Sequence, residues 1–192
     1  MNIFVFTAAV GAYLIGAIPT GYIIARLKGI KDIRDHGSGN IGATNVSRIL
    51  GFHYFFLIFF LDAGKAFLFF YGIKPYFTPD YLYFFAGIFL LGNTCSLFLR
   101  GSGGKGVATL FGILCALKLT AIGFLLAIWC VSMAIVKTVG IASVIAAASL
   151  PLYACVLKDG DFILFSCIVS AWVIWLHRSN IRAYWEKHCI KN

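Results

Sequence analysis

Six stretches of this 192-residue chain, at about 3–26, 52–73, 81–99, 119–136, 139–157 and 161–176, run almost without charge. Nothing else in the sequence constrains the fold as strongly. A helix needs roughly 20 apolar residues to cross a hydrocarbon core of about 30 Å, so runs of this length read as membrane spans. The chain is 61% hydrophobic and only 12% charged, about half the charge of an ordinary soluble domain. These observations predict an all-α polytopic integral membrane protein with about seven transmembrane helices. They leave no room for a soluble domain, so residues 1–192 are expected to form one membrane-embedded domain. The first run, Ile3 to Leu27, follows no basic segment and is longer than a signal-peptide core of about 7–15 residues, so it reads as a retained helix.

The count of seven depends on residues 107–117. Alone, this segment spans only about 16 Å as a helix, yet 107–136 as one helix would be overlong and would bury Lys118. Charge asymmetry decides between them, because cytoplasmic loops collect Lys and Arg. If 107–117 crosses, Arg26, Lys28, Lys31, Arg34, Arg48, Arg100, Lys105, Lys137, Arg178, Arg182, Lys187 and Lys191 share one side, and only Lys74, Lys118 and Lys158 face the other. If it does not, Lys137 and the basic tail part company with the first basic loop. The expected topology therefore has the N-terminus outside and the C-terminus in the cytoplasm. Because the net charge of +9 is spread over short loops between spans, it suits anionic lipid and an anionic substrate and gives no reason to expect nucleic acid. The six cysteines form no C-x-x-C pair and fall mostly within apolar runs, as membrane-embedded free thiols would. Neither a metal nor another cofactor is expected.

This topology gathers the three dense polar stretches onto one face: "GSGNIGATNVSR" at 37–48, "RGSGGKGVAT" at 100–109 and "HRSNIR" at 177–182. Each lies at a helix end, where backbone groups lack intrahelical partners. In the first, Ser38, Asn40, Thr44 and Asn45 stand beside Arg48 and the flanking Arg34, more hydrogen-bonding groups than a turn needs. The second is not a strict P-loop, since Leu99 and Gly106 occupy positions that the signature reserves for Gly and Ser/Thr. What it retains is Gly103, Gly104, Lys105 and Gly106 opening a helix whose N-terminus can hold phosphate. In the third, His177 and Asn180 are spaced to share a helix face. Trp172, Trp175, Tyr184 and Trp185 fit an interfacial aromatic belt. Inside the spans, Asp62 and Lys65 in "FLDAGKAF" lie one turn apart and are expected to pair with each other.

Taken together, "GSGNIGATNVSRILG", "GGKGVAT" and "HRSNI", in this order and with "FLD" and a lysine at 60–65, resemble the bacterial membrane acyltransferases often called PlsY. That family transfers an acyl group from acyl-phosphate to glycerol 3-phosphate, and the resemblance covers nearly the whole chain. It implies a seven-helix fold in the bacterial inner membrane and an active site at the cytoplasmic side. It also implies, as an upstream partner, an enzyme that supplies acyl-phosphate. Position by position, Ser38, Arg48, Lys105, His177 and Asn180 match the family's substrate site. Asn40, Thr44, Asn45, Gly103, Gly104 and Gly106 match its loop framework, and Ser143 is a weaker match. One departure stands out: Asn93 and Ser96 replace a histidine and a proline usual in the family.

Such a reaction needs charge neutralisation, alignment and removal of one hydroxyl proton. Lys105, Arg48 and the glycine N–H groups suit the first, and Ser38, Asn40, Asn45 and Asn180 the second. Two groups suit the third: the His177 imidazole, histidine being a common general base, or a substrate phosphate dianion, which would leave His177 as a positioning group. The substrate-assisted route is favoured. No histidine has an aspartate five residues on, as the soluble-type glycerolipid acyltransferases have, and no serine has an evident base partner, so direct transfer without an acyl-enzyme is expected. A transporter for small organic phosphates is the alternative, although such folds tend to show internal repeats with broken helices near the midplane.

Overall fold

The computed structural model describes residues 2–189, and no strand occurs among them. The helices are α1 (Ile3–Ala17), α2 (Thr20–Leu27), α3 (Ala43–Leu50), α4 (His53–Ile73), α5 (Pro79–Thr94), α6 (Val107–Leu117), α7 (Leu119–Val136), α8 (Val139–Leu157), α9 (Gly160–Leu176) and α10 (Arg178–Cys189). Five stretches are long and apolar enough to cross a bilayer: Ile3–Leu27, His53–Tyr76, Pro79–Leu99, Leu119–Val136 and Val139–Leu157. The pair Gly160–Leu176 and Arg178–His188, bent by 56°, would make a sixth if it is one span, and Val107–Leu117 is a shorter apolar helix. Lys191, one of the charges used to orient the chain, lies outside the described residues.

Two expected runs prove discontinuous. The first is broken after Ala17, because Pro19 has no N–H to donate one turn back and disfavours a helical Ile18, which sits at ψ 114. The third stops at Thr94 and continues as a 3-10 turn, Leu97–Leu99, that ends on a left-handed Arg100. Lys118, by contrast, interrupts 107–136 as anticipated: its backbone leaves the helical region at φ −147 and ψ 65.

The chain forms two compact units, one ending at Leu117 and one beginning at Lys118. In the first, α1 packs on α5 and α4 on α6. Both pairs approach so closely that only glycine fits at the crossing. A Cβ on Gly16 would lie 2.3 Å from the Phe89 carbonyl oxygen, and one on Gly112 would lie 2.0 Å from that of Ala63. At one end of this unit a small apolar core of Ala25, Ile33, Ile41, Val46, Ile58 and Leu99 clamps α2, the loop after it, α3 and the start of α4. That core removes apolar area from water at about 25 cal/mol per Å², and it gives the polar loops above it a rigid floor.

In the second unit, α8 packs on both α7 and α9. Its buried face is built largely of small residues, Ala142, Ser143, Ala146, Ala147 and Ala154, and the Ser170 hydroxyl of α9 donates to the Ala147 carbonyl at 2.5 Å. Lys118 closes the far end through a 2.6 Å ion pair with Asp159, which also caps α9 by accepting from the Phe162 N–H at 3.1 Å. The lysine beside it holds the Asp159 carboxyl below the usual carboxylate range. The five cysteines whose side chains are described are free thiols.

Candidate active site

The first glycine-rich stretch is a loop held by its own amides. Gly37 and Gly39 adopt φ of +60 and +70, which L side chains rarely tolerate, and they flank Ser38 at an exposed tip. Asn45, buried in the first turn of α3, ties the loop down. Its Oδ1 accepts from the Ser38 N–H at 2.8 Å and its Nδ2 donates to the His36 carbonyl at 2.9 Å. A Cβ on Gly37 would lie 2.3 Å from that Oδ1, so the glycine is required by contact as well as by φ. Thr44 and Arg48 follow at i and i+4 on α3, a spacing that puts them on one face, and Arg48 is exposed.

The second stretch lies directly against the end of α5. The Gly104 N–H donates to the Asn93 carbonyl at 2.9 Å. A Cβ on Gly103 would fall 2.3 Å from both the carbonyl carbon and the oxygen of Thr94. Gly106, at φ +78, then turns the chain into α6. Asn93 and Ser96, the two departures from the family pattern, are both buried and both used here. Asn93 supplies the carbonyl that holds Gly104. Ser96 brackets the turn, donating its N–H to Ser102 O at 3.2 Å and accepting from the Gly101 N–H at 2.9 Å. Lys105 is half-buried at the centre of this loop.

The two loops touch. Asn40 spans them, its Nδ2 donating to the Gly103 carbonyl at 3.3 Å while its Oδ1 accepts from the Gly42 N–H at 2.8 Å. Arg34 makes a second, longer bridge, donating at 3.4 Å to Leu99 O and to Ser102 Oγ. Its guanidinium is aimed by Asp32, 2.6 Å away. That pair, together with the Arg34 N–H donating to Asp32, lowers the Asp32 carboxyl to about 2 from its ordinary 3.8. A carboxylate whose folded pKa is depressed adds stability that is fully present above its unfolded pKa and is lost as pH falls through the folded value. The difference in Tm between the natural protein and Asp32→Asn is therefore expected to be constant above about pH 4 and to shrink toward pH 2. A difference that stayed the same down to pH 2 would mean that the ion pair contributes nothing.

The third stretch belongs to the second unit. His177 ends α9 and is 4% exposed, and its Nδ1 lies 2.8 Å from the Val173 carbonyl. Since a carbonyl only accepts, Nδ1 carries the proton, and a neutral ring has its acceptor at Nε2. Asn180 sits on the first turn of α10 against Gly140, where a Cβ would be 2.6 Å from the Asn180 Nδ2. One turn on from Gly140, Ser143 is buried, donating to the Val139 carbonyl at 2.9 Å and accepting from Trp129 Nε1 at 3.2 Å. The same turn of α8 thus carries Ser143 and seats Asn180.

Sequence reasoning passed over Gly140, a single glycine in an apolar helix with no visible local purpose. It also passed over Thr109 at the end of "GGKGVAT". The Thr109 hydroxyl is buried in the first turn of α6 and has no hydrogen-bond partner among the described residues. An orphan of this kind costs about 1–3 kcal/mol unless something satisfies it.

Comparison with known proteins gives a consistent picture. The sequence model of a family described as glycerol-3-phosphate acyltransferase matches residues 6–187. A protein of that name from Geotalea daltonii is 39% identical over 175 residues, covering 90% of each chain. One from Staphylococcus aureus (strain Newman) is 36% identical over 182 residues, covering 88% of this chain and 89% of its own. Among solved structures, PlsY, an integral membrane glycerol 3-phosphate acyltransferase, matches in its glycerol 3-phosphate form with a TM-score of 0.88 and 35% identity, over 93% of this chain and 90% of that one. Its lysophosphatidic acid form matches with a TM-score of 0.84 and 34% identity over the same shares.

Proposed function

The chain belongs to the glycerol-3-phosphate acyltransferase family, and from that premise we propose that it transfers a fatty acyl group from acyl-phosphate to the 1-hydroxyl of glycerol 3-phosphate. The products are lysophosphatidic acid and inorganic phosphate. The observation that carries this reading is the direct joining of two glycine-rich loops through Asn40 and Gly103, with Lys105 on one loop and Ser38 and Arg48 beside the other. Two phosphates must be held for this reaction, and the loops offer cationic side chains and backbone N–H groups.

In the proposed reaction the 1-hydroxyl oxygen attacks the acyl carbonyl carbon, the anhydride C–O bond breaks, and phosphate leaves with the bonding pair. Lys105 and Arg48 balance the charge of the two phosphates, and the Ser38 hydroxyl helps to align the acceptor. The hydroxyl proton goes to a phosphate oxygen, with His177 and Asn180 as orienting groups. In the competing route His177 Nε2 takes it. Both routes transfer the acyl group in one step, and residues 1–192 are proposed to act as one acyltransferase domain. Purified protein in lipid or detergent, given glycerol 3-phosphate and acyl-phosphate, should release phosphate and lysophosphatidic acid in equal amounts. No turnover at any acyl chain length would overturn the proposal, and a trapped acyl-enzyme would overturn the one-step mechanism.

The proposed orientation has seven crossings, with the two joined loops in the cytoplasm of a bacterial inner membrane. It is supported by the clustering of basic residues in those loops. In a cysteine-free background, Lys158→Cys should react with an impermeant maleimide in intact cells, and Lys28→Cys only after permeabilisation. The reverse pattern would invert the topology.

A further inference from the structure

Two ionised side chains within an apolar helix are costly unless every proton and lone pair finds a partner, and α4 carries Asp62 and Lys65 one turn apart. They do pair, at 2.8 Å, but the pair is not closed on itself. Lys65 Nζ also donates to the carbonyls of Ile18 at 2.7 Å and Gly16 at 3.1 Å, which uses its three protons. Asp62 Oδ1 also accepts from the Thr20 hydroxyl at 2.7 Å. All of these partners lie at the break that Pro19 makes between α1 and α2.

The charges are placed by sign. The lysine caps the C-terminal end of α1, where the helix dipole is negative, and the aspartate reaches the N-terminal residue of α2, where it is positive. The break also exposes the Ala17 carbonyl, which accepts from the buried Ser96 hydroxyl at 2.6 Å.

Two short links lead from this break to the glycine-rich loops. On one side, α2 presses on the first loop: a Cβ on Gly21 would lie 1.9 Å from the Ile41 carbonyl oxygen. On the other, Ser96 holds the turn that opens the second loop through its backbone bonds to Ser102 and Gly101. A displacement of the break would therefore move both loops. We infer that Asp62 and Lys65, acting through Thr20 and Ser96, are positioning residues for acyl transfer: the partly buried pair sets the α1–α2 break and with it the spacing of the two loops. The inference rests on the acyltransferase reading for its kinetic consequences, and neither residue is assigned a substrate contact. A partly buried ion pair adds little net stability against an apolar replacement, and the role inferred for this one is registry.

The test compares Lys65→Met, Thr20→Val, Thr20→Ser and Lys118→Ala in the full chain. Lys118→Ala is the control, since it removes an ion pair in the other unit. Four quantities are measured: hydrogen exchange of the Ser38 and Gly104 amides, KM and kcat for glycerol 3-phosphate, and Tm. Lys65→Met is expected to speed exchange at both amides and raise KM about tenfold, and Thr20→Val to raise it about threefold, as sub-ångström misplacement of binding groups does. Thr20→Ser, which keeps the hydroxyl, should behave like the natural protein, and Lys118→Ala should lower Tm alone. Should Lys65→Met fail to fold, the contrast between Thr20→Val and Thr20→Ser decides. Loop exchange and KM unchanged in Thr20→Val would overturn the inference. If the natural protein does not acylate glycerol 3-phosphate, the acyltransferase reading falls and exchange at the two amides alone decides the positioning role.

Discussion

Lys105→Ala is expected to lower kcat/KM for acyl transfer by about 10²- to 10³-fold, the range seen when one preorganised electrostatic donor is removed from a site. The lysine sits in the turn between Gly104, bonded to the end of α5, and Gly106, at φ +78, so its backbone is fixed, and the proposed mechanism assigns its charge to the two phosphates. An arginine there should restore only part of the loss, because a guanidinium is planar and longer than an ammonium. Lys118→Ala also removes a cation, one that pairs with Asp159 at 2.6 Å in the second unit, and should leave kcat/KM within about twofold at a small cost in Tm. Steady-state kinetics on the three variants checks this. Equal losses at the two lysines would reject Lys105 as a substrate ligand.

A second large effect is expected at Gly103. Any Cβ there meets the backbone of Thr94 at 2.3 Å and the carbonyl oxygen of Asn93 at 2.5 Å. Backbone cannot rotate aside as a side chain can, so the loop must lift away from α5. Gly103→Ala should destabilise the fold by about 1–3 kcal/mol, as overpacking does. The larger consequence is kinetic. Lifting the loop strains the Asn40–Gly103 bridge and the Gly104–Asn93 bond together, and a shift near 1 Å in a binding loop costs about 10²-fold in rate. Gly123→Ala makes the comparison, since a Cβ there meets nothing within 4 Å. Its Tm and kinetics should match the natural protein. A Gly103→Ala variant with unchanged KM and kcat would show that the loop does not bind substrate in the conformation described.

The helical segments were legible because each is a long local run of apolar residues, and Lys118 was legible as a stop because a charge interrupts one. The motifs were legible as polar exceptions in an apolar chain. The break at Pro19 was not, although the proline is in plain view: hydropathy averages over side chains and takes no account of which carbonyl loses its donor. Asp62 and Lys65 were correctly expected to pair, but their further partners belong to a helix some forty residues earlier in the chain. Asn45 was read both as loop framework and as a group able to align substrate, and the framework role is the one its bonds show, since both ends of its amide hold the loop that presents Ser38.

By itself, then, the sequence determined a helical membrane protein, the family, and the polar residues worth testing, because apolar run length, charge and motif spacing are properties of neighbouring residues. Only the tertiary structure decided which of those residues hold the loops, why Gly103 must be glycine, that Gly140 seats Asn180, and what Lys65 does with its three protons. Those answers depend on backbone carbonyls and Cβ positions brought within about 3 Å from distant elements, and a distance of that kind is set by packing.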